Sequence, residues 1–228
     1  MRSTQSLHSV AALLLLGVLT ACGTNPTTTT QSSATATDNS GNAVSLRIPA
    51  VVPVTVDART SALLILDISS AICQPRPACV ASVPAIASLL SKARASNVPV
   101  IYSSTATPAG PSPMLAEVAP RSGEPTVVSS ANKFTNTDLE DILKQRNITT
   151  LVVAGSAANG AVLYTSFHAN TRGFTVVVAD DGISSPVAVN TQVARYQLLN
   201  QPGYTNADNT PLADKKVTLS RSDLITFR

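Results

Sequence analysis

From Ser61 onward the chain alternates two hydrophobic patterns. "SALLILDI" (Ser61 to Ile68) is a short continuous apolar run closed by an acid, the pattern of a strand buried on both faces. "VASVPAIASLLSKARASN" (Val80 to Asn97) sets Ile86, Leu89, Leu90 and Ala93 at helical spacing, and "VPVIYSS" after it reads as a second strand. "TDLEDILKQRN" places Thr137 and Glu140 at capping-box spacing, lines Leu139, Ile142 and Leu143 on one face, and runs into the strand "TTLVVAG". A helix then follows Gly155 and ends near Gly173, before the strand "FTVVVAD", a helix over Val187 to Leu199 and a last strand in "KKVTLS". Such alternation with short links predicts an α/β fold, a mostly parallel sheet covered by helices on both faces. Ligands of such sheets bind beyond the carboxyl ends of the strands.

The N-terminal part has a different character. Arg2 is followed by "VAALLLLGVL" (Val10 to Leu19), an apolar core too short to span a bilayer, and then by small residues, which is the pattern of a secretory signal over residues 1–21. "LTAC" (Leu19 to Cys22) resembles the bacterial lipobox, in which the Cys becomes the lipidated N-terminus. Residues 22–44 are rich in Thr and Ser and have no apolar periodicity, so they read as a flexible tether. Residues 45–228 form the folded domain in this reading. The localisation that follows is the bacterial cell envelope, on the periplasmic or extracellular side, with the membrane reached through the lipid anchor on Cys22. Gly23, where an Asp would favour inner-membrane retention, points outward.

Charge and cysteine usage narrow the chemistry. The formal net charge is +3, with 13% charged residues and no Lys/Arg cluster interleaved with aromatics, so nucleic acid is not an expected partner. Cys73 and Cys79 flank a Pro-rich stretch, "CQPRPAC", and an oxidising compartment lets them pair as a disulfide. His168 is the one His beyond the signal, so no metal site is expected, and without a Gly-rich dinucleotide fingerprint no cofactor is either.

The strands ending at Asp67 and at Gly155 finish on the same sheet edge, so Asp67 and the elbow "GSAANGA" share a candidate pocket. Lys133, in "SSANKFTNTDLE" between an apolar run and a helix, returns an ammonium toward that edge. A partly desolvated acid and lysine shift each other's proton affinity and can move a proton. Asp180 and Asp181 are read as bonding the turn "DGISS", and His168 as a half-buried or surface residue. Phe134 and Tyr164 are pocket walls or core.

At these residues the chain resembles the isochorismatase-like hydrolases, also called cysteine hydrolases, from about Ser61 to Ser185. "LLILDI" is similar to the family's first strand with its catalytic Asp, "NKF" to the segment with its Lys, and "VVAGSAANGAVLYTSFHANTRGFTVVVADDGISS" to its nucleophile segment. The resemblance implies a three-layer α/β/α domain with a six-stranded mostly parallel sheet. It also implies a cis peptide at Ser156–Ala157, a small-molecule substrate or ligand, and a possible homo-oligomer. It assigns Asp67 and Lys133 as catalytic, and Ser156, Ala157, Gly160 and Phe134 as substrate-binding. Ala161 falls where the family has its catalytic Cys, and Ser69 where it has a Gln. Ser156, Asn159 and Thr165 lack a paired base and are poor substitutes for the thiol.

Two function classes follow. One is an envelope-tethered hydrolase that works without a cysteine nucleophile, as the isochorismatase branch does when Asp and Lys hydrolyse a vinyl ether. The other is a catalytically inactive family member that binds a small molecule or serves as a structural envelope lipoprotein. The lipobox reading has a direct test: mass spectrometry of the envelope form should find Cys22 acylated and the anchor lost in Cys22→Ser. An unlipidated mature chain starting elsewhere would refute it.

Overall fold

The computed structural model describes residues 32–37, 40–41, 43–108 and 110–228. The signal sequence, the lipobox and Cys22 lie outside the described residues. The first elements are an antiparallel pair, β1 (Ser32–Thr37) and β2 (Ala43–Ile48). Composition placed residues 22–44 in an unstructured tether, and from Ser32 the chain departs from that expectation. The reason is local: alternating Ala and β-branched Thr suits a strand, and Gly41, at φ +79°, lets the chain reverse.

The centre of the domain is a six-stranded sheet in the order β6 (Thr126–Val128), β5 (Val100–Ser104), β4 (Ser61–Leu66), β7 (Thr150–Ser156), β8 (Thr175–Ser184) and β9 (Val217–Ser220). Every pairing in it is parallel. β4 is buried at every position, as its unbroken apolar run requires. Its side chains divide by period two: Ala62, Leu64 and Leu66 enter one core, Leu63 and Ile65 the other.

The first core packs under α3 (Leu139–Gln145), α4 (Leu163–Thr171) and α5 (Ala188–Leu199). The hairpin β1–β2 leans on α5 and contributes Ile48 to this core. The second core lies beneath α2 (Pro77–Ala95), which buries Val83, Ile86, Leu89, Leu90 and Ala93. It is completed by a two-stranded parallel sheet of β3 (Val54–Val56) and β10 (Ile225–Phe227). These two strands, three residues each, are too short for periodicity to reveal.

Three expectations are corrected. The helix that opens with the capping-box pattern begins at Leu139, with Asp138 as its N-cap. Thr137 Oγ1 accepts from Leu139 N (3.3 Å), while Glu140 turns to Lys144 and Arg172 in ion pairs of 2.6 and 2.8 Å. The strand expected to stop at Asp180 runs on to Ser184. It does so through a bulge: Val153 pairs with Val178 and Gly155 with Ile183, so residues 179–182 stand opposite Ala154 alone. Third, Asp180 and Asp181 do not bond the "DGISS" turn. Asp180 accepts both arms of Arg195 from α5, and Asp181 accepts the Ser222 N–H and hydroxyl at 2.8 and 2.6 Å. The two acids pin the bulge to its neighbours. Burial pushes the Asp180 carboxyl above its ordinary range despite Arg195.

Two covalent details set the sheet edge. α1 (Ser70–Cys73) is tied to the first turn of α2 by a Cys73–Cys79 disulfide with a Cα–Cα distance of 5.1 Å, so the expected pairing is present. Gly155 lies opposite Leu66 of β4, and a Cβ there would collide with the Leu66 carbonyl oxygen. Only glycine fits.

Gly155→Ala is therefore expected to lower the unfolding free energy by at least about 2 kcal/mol in urea melts. Parent-like stability would show that β4 and β7 separate freely. Thiol titration of the unfolded, unreduced protein should recover neither Cys73 nor Cys79, and reduction should cost about 2 kcal/mol of stability for so short a loop. Two free thiols at these positions would refute the pairing.

Candidate active site

The sheet order reverses between β4 and β7, the switch point beyond whose carboxyl ends such sheets bind their ligands. β4 delivers Asp67, which follows Leu66 in the left-handed region at φ +56°. Few residues other than glycine adopt this conformation, though Asp does so more readily than most. The Asp67 N–H still continues the sheet ladder by donating to the Ser103 carbonyl at 3.1 Å. The carboxylate is 4% exposed. Its Oδ1 accepts from the Ser103 hydroxyl at 2.8 Å, and its Oδ2 lies 2.7 Å from Lys133 Nζ.

Lys133 is wholly buried. Beyond Asp67, its ammonium donates to the carbonyls of Ser129 (3.1 Å) and Ser130 (2.5 Å), so its three N–H groups have three acceptors. The loop that carries it is held at both ends. Lys133 N donates to Thr165 Oγ1 of α4 at 3.2 Å, and Thr137 Oγ1 donates to the Lys133 carbonyl at 2.6 Å. Burial is the strongest influence on Asp67 and raises its proton affinity above the ordinary carboxylate range. Lys133 and Ser103 oppose it without overcoming it.

The second wall is the elbow after β7. The Ser156–Ala157 peptide is cis, where the family resemblance places it, and a π-helical turn over Ala158–Val162 leads directly into α4. Ser156 is buried and donates to the Ser184 carbonyl at 3.3 Å. Ser185 Oγ donates to Asn159 Oδ1 (2.9 Å) and accepts from the Asn159 N–H (3.4 Å). Ala157 and Gly160 are half-buried, and Ala161 is 4% exposed within the turn. The tail of β8 thus braces the elbow.

A third wall follows Asp67. Ser69 bridges to Met114, Ser70 N donates to the Pro113 carbonyl at 2.8 Å, and Leu115 N donates to the Ile68 carbonyl at 3.0 Å. The chain at 112–115 is thereby strapped across the start of α1. Ser69 Oγ is buried there without a hydrogen-bond partner.

Of the residues singled out by sequence, the structure brings Asp67 and Lys133 into contact and places Ser156, Ala157, Gly160 and Ala161 on one elbow. Phe134 packs in the first core. Its ring stacks on Phe174 at a 6.1 Å centroid distance, and the Arg172 guanidinium lies 4.7 Å above it. Thr165 is occupied in holding the Lys133 loop, and His168 faces Arg172, 3.3 Å from its guanidinium. Sequence reasoning missed Ser103. Its signal was present as a hydroxyl pair closing the otherwise apolar strand "VPVIYSS". Among the described residues, no group of three or more His, Cys, Asp or Glu is arranged to hold a metal ion.

This architecture is shared. A cysteine hydrolase from Pseudomonas syringae pv. phaseolicola superimposes with a TM-score of 0.65 at 18% identity, covering 76% of this chain and 93% of its own. N-carbamoylsarcosine amidase from Thermoplasma acidophilum gives 0.60 at 20% identity, over 72% of this chain and 97% of its own. At these identities the likeness is one of fold. In sequence, the chain is 31% identical over 147 residues to the secreted isochorismatase effector Isc1 of Verticillium dahliae, covering 58% of this chain and 77% of that protein. The isochorismatase domain model matches residues 61–208, from the first residue of β4 to beyond α5. With the switch point, the cis elbow and five of the six parallel strands inside that span, the chain belongs to the isochorismatase family.

Proposed function

We propose that this protein is an exported, lipid-tethered hydrolase that cleaves a small vinyl ether of the isochorismate type by acid–base chemistry, without a cysteine nucleophile. The observation that carries this reading is the buried Asp67–Lys133 pair, 2.7 Å apart, in which burial raises the proton affinity of the acid. A carboxyl that keeps its proton above the usual carboxylate range suits a general acid. The relative from Verticillium dahliae, named a secreted isochorismatase effector, supports both the reaction and a place outside the cell.

The step balances without a covalent enzyme intermediate. Asp67 gives its proton to the terminal carbon of the enol ether, and the double-bond electrons form the new C–H bond. The cation left on the ether carbon is captured by water. The Asp67 carboxylate, held by Lys133, takes back the proton that this water loses, and the resulting hemiketal collapses to a ketone and an alcohol. Lys133 acts in this scheme as a fixed positive charge beside the carboxylate. Ala161, read as standing at the family's nucleophile position, has no role in bond making.

The absence of a side-chain nucleophile at Ala161 favours the second reading, a binding protein that retains the pocket, and one set of variants separates the two. Vinyl-ether hydrolysis should resist thiol-blocking reagents and fall by on the order of a hundredfold or more in Asp67→Asn, with circular dichroism checking that the variant is folded. Because the protonated acid is the active form, kcat/KM should decline as pH rises through the Asp67 pKa. That limb should lie above the range of an ordinary carboxylate. Ala161→Cys should place a thiol that alkylates faster than free cysteine at neutral pH. No hydrolysis of any vinyl ether, together with an unreactive Cys at 161, would leave the binding reading.

A further inference from the structure

We infer that Ser103 is a positioning residue for the acid step: its hydroxyl holds Oδ1 of Asp67 while Lys133 reserves Oδ2, so the proton delivered to substrate is carried on Oδ1. The inference rests on the acid–base reading above. It begins from the donors around the carboxylate. The Lys133 ammonium points one N–H at Oδ2 and the other two at the Ser129 and Ser130 carbonyls, so Oδ2 faces a donor that has no acceptor capacity. A proton on that side of Oδ2 would meet an N–H group head-on. Oδ1 accepts one hydrogen bond from the Ser103 hydroxyl, which leaves its second lone pair to carry the proton away from any fixed cation.

Ser103 is built to hold this position. It is fully buried on β5, the strand beside β4, and grips Asp67 twice: its carbonyl takes the Asp67 N–H at 3.1 Å and its hydroxyl reaches Oδ1 at 2.8 Å. The same residue therefore fixes the left-handed backbone of Asp67 and the rotation of its carboxyl group. Among the described residues, the polar side chains that reach the Asp67 carboxylate are Lys133 from the loop before α3 and Ser103 from β5.

The chemistry has a definite sign. A hydrogen bond donated to the carboxylate stabilises the ionised form, so Ser103 makes Asp67 a stronger acid and a better proton donor. Removing the hydroxyl should make Asp67 hold its proton to higher pH and release it less readily.

The test uses the full chain with Ser103→Ala and Ser103→Thr. Carboxyl ¹³C NMR titration of substrate-free protein should show the Asp67 midpoint rising by about one pH unit in Ser103→Ala, the size expected for losing a hydrogen bond to a charged group. The alkaline limb of kcat/KM should move up with it, and kcat should fall several-fold. Ser103→Thr, which keeps the hydroxyl, should retain parent values. A purely structural Ser103 would lower stability without moving the midpoint. An unmoved midpoint and limb in Ser103→Ala, with Asp67→Asn inactive, would overturn the Ser103 assignment alone. Full activity in Asp67→Asn would overturn the acid–base reading, and with it the acid step that Ser103 is inferred to serve.

Discussion

The burial of the Asp67–Lys133 pair is the constraint around which the rest of the structure is arranged. Taking two charges out of water carries a desolvation penalty of several kcal/mol per ion, and mutual attraction repays it only when every remaining lone pair and proton is also matched. Here the matching is complete around the pair: two carbonyls for the ammonium, a hydroxyl for the second carboxylate oxygen. None of these partners comes from the strand that carries Asp67. The acid depends on β5 and on the loop after β6, and that loop depends in turn on Thr165 of α4.

The same dependence explains the irregular parts of the sheet. Gly155 lets β7 approach the Leu66 backbone so closely that the elbow stands beside Asp67. The bulge at residues 179–182 absorbs chain length from β8, so that Ile183 and Ser184 return to register opposite Gly155 and Ser156. Asp180, with Arg195, and Asp181, with Ser222, hold the displaced segment in place. Each of these departs from an ideal strand, and each bears on the elbow. On the opposite side the Cys73–Cys79 disulfide and the strap at 112–115 confine the chain that leaves Asp67.

How much of this was legible in the sequence follows from the range of each interaction. The continuous apolar run at Ser61–Leu66 and the helical spacing of Ile86, Leu89 and Leu90 are local patterns driven by burial, so the main strands and α2 could be read directly. Asp67 and Lys133 were legible because an acid and a lysine both fell where strand ends converge. Ser103 was not, because a serine at a strand end has many uses and only the β4–β5 register gives it a carboxylate to face. The extension of β8 was hidden for the same reason. Its last residues pair through an interruption that a strand-length reading takes for an end. Phe134, read as pocket wall or core, stacks its ring on Phe174, a partner forty residues away that no local pattern announces.

The sheet order has a kinetic meaning. Asp67, Ser103 and Ser156 each stand at or beside the end of a different strand, and β4 meets β7 only after the chain has made β5, β6 and α3. The switch point lies between two strands whose pairing closes a long loop, and the entropy of that closure is met before any contact across it is made. Ser103 and Lys133 precede β7 in the chain, but the loop carrying Lys133 is fastened by Thr165 of α4, so the surroundings of the acid are complete only once the elements after β7 have docked.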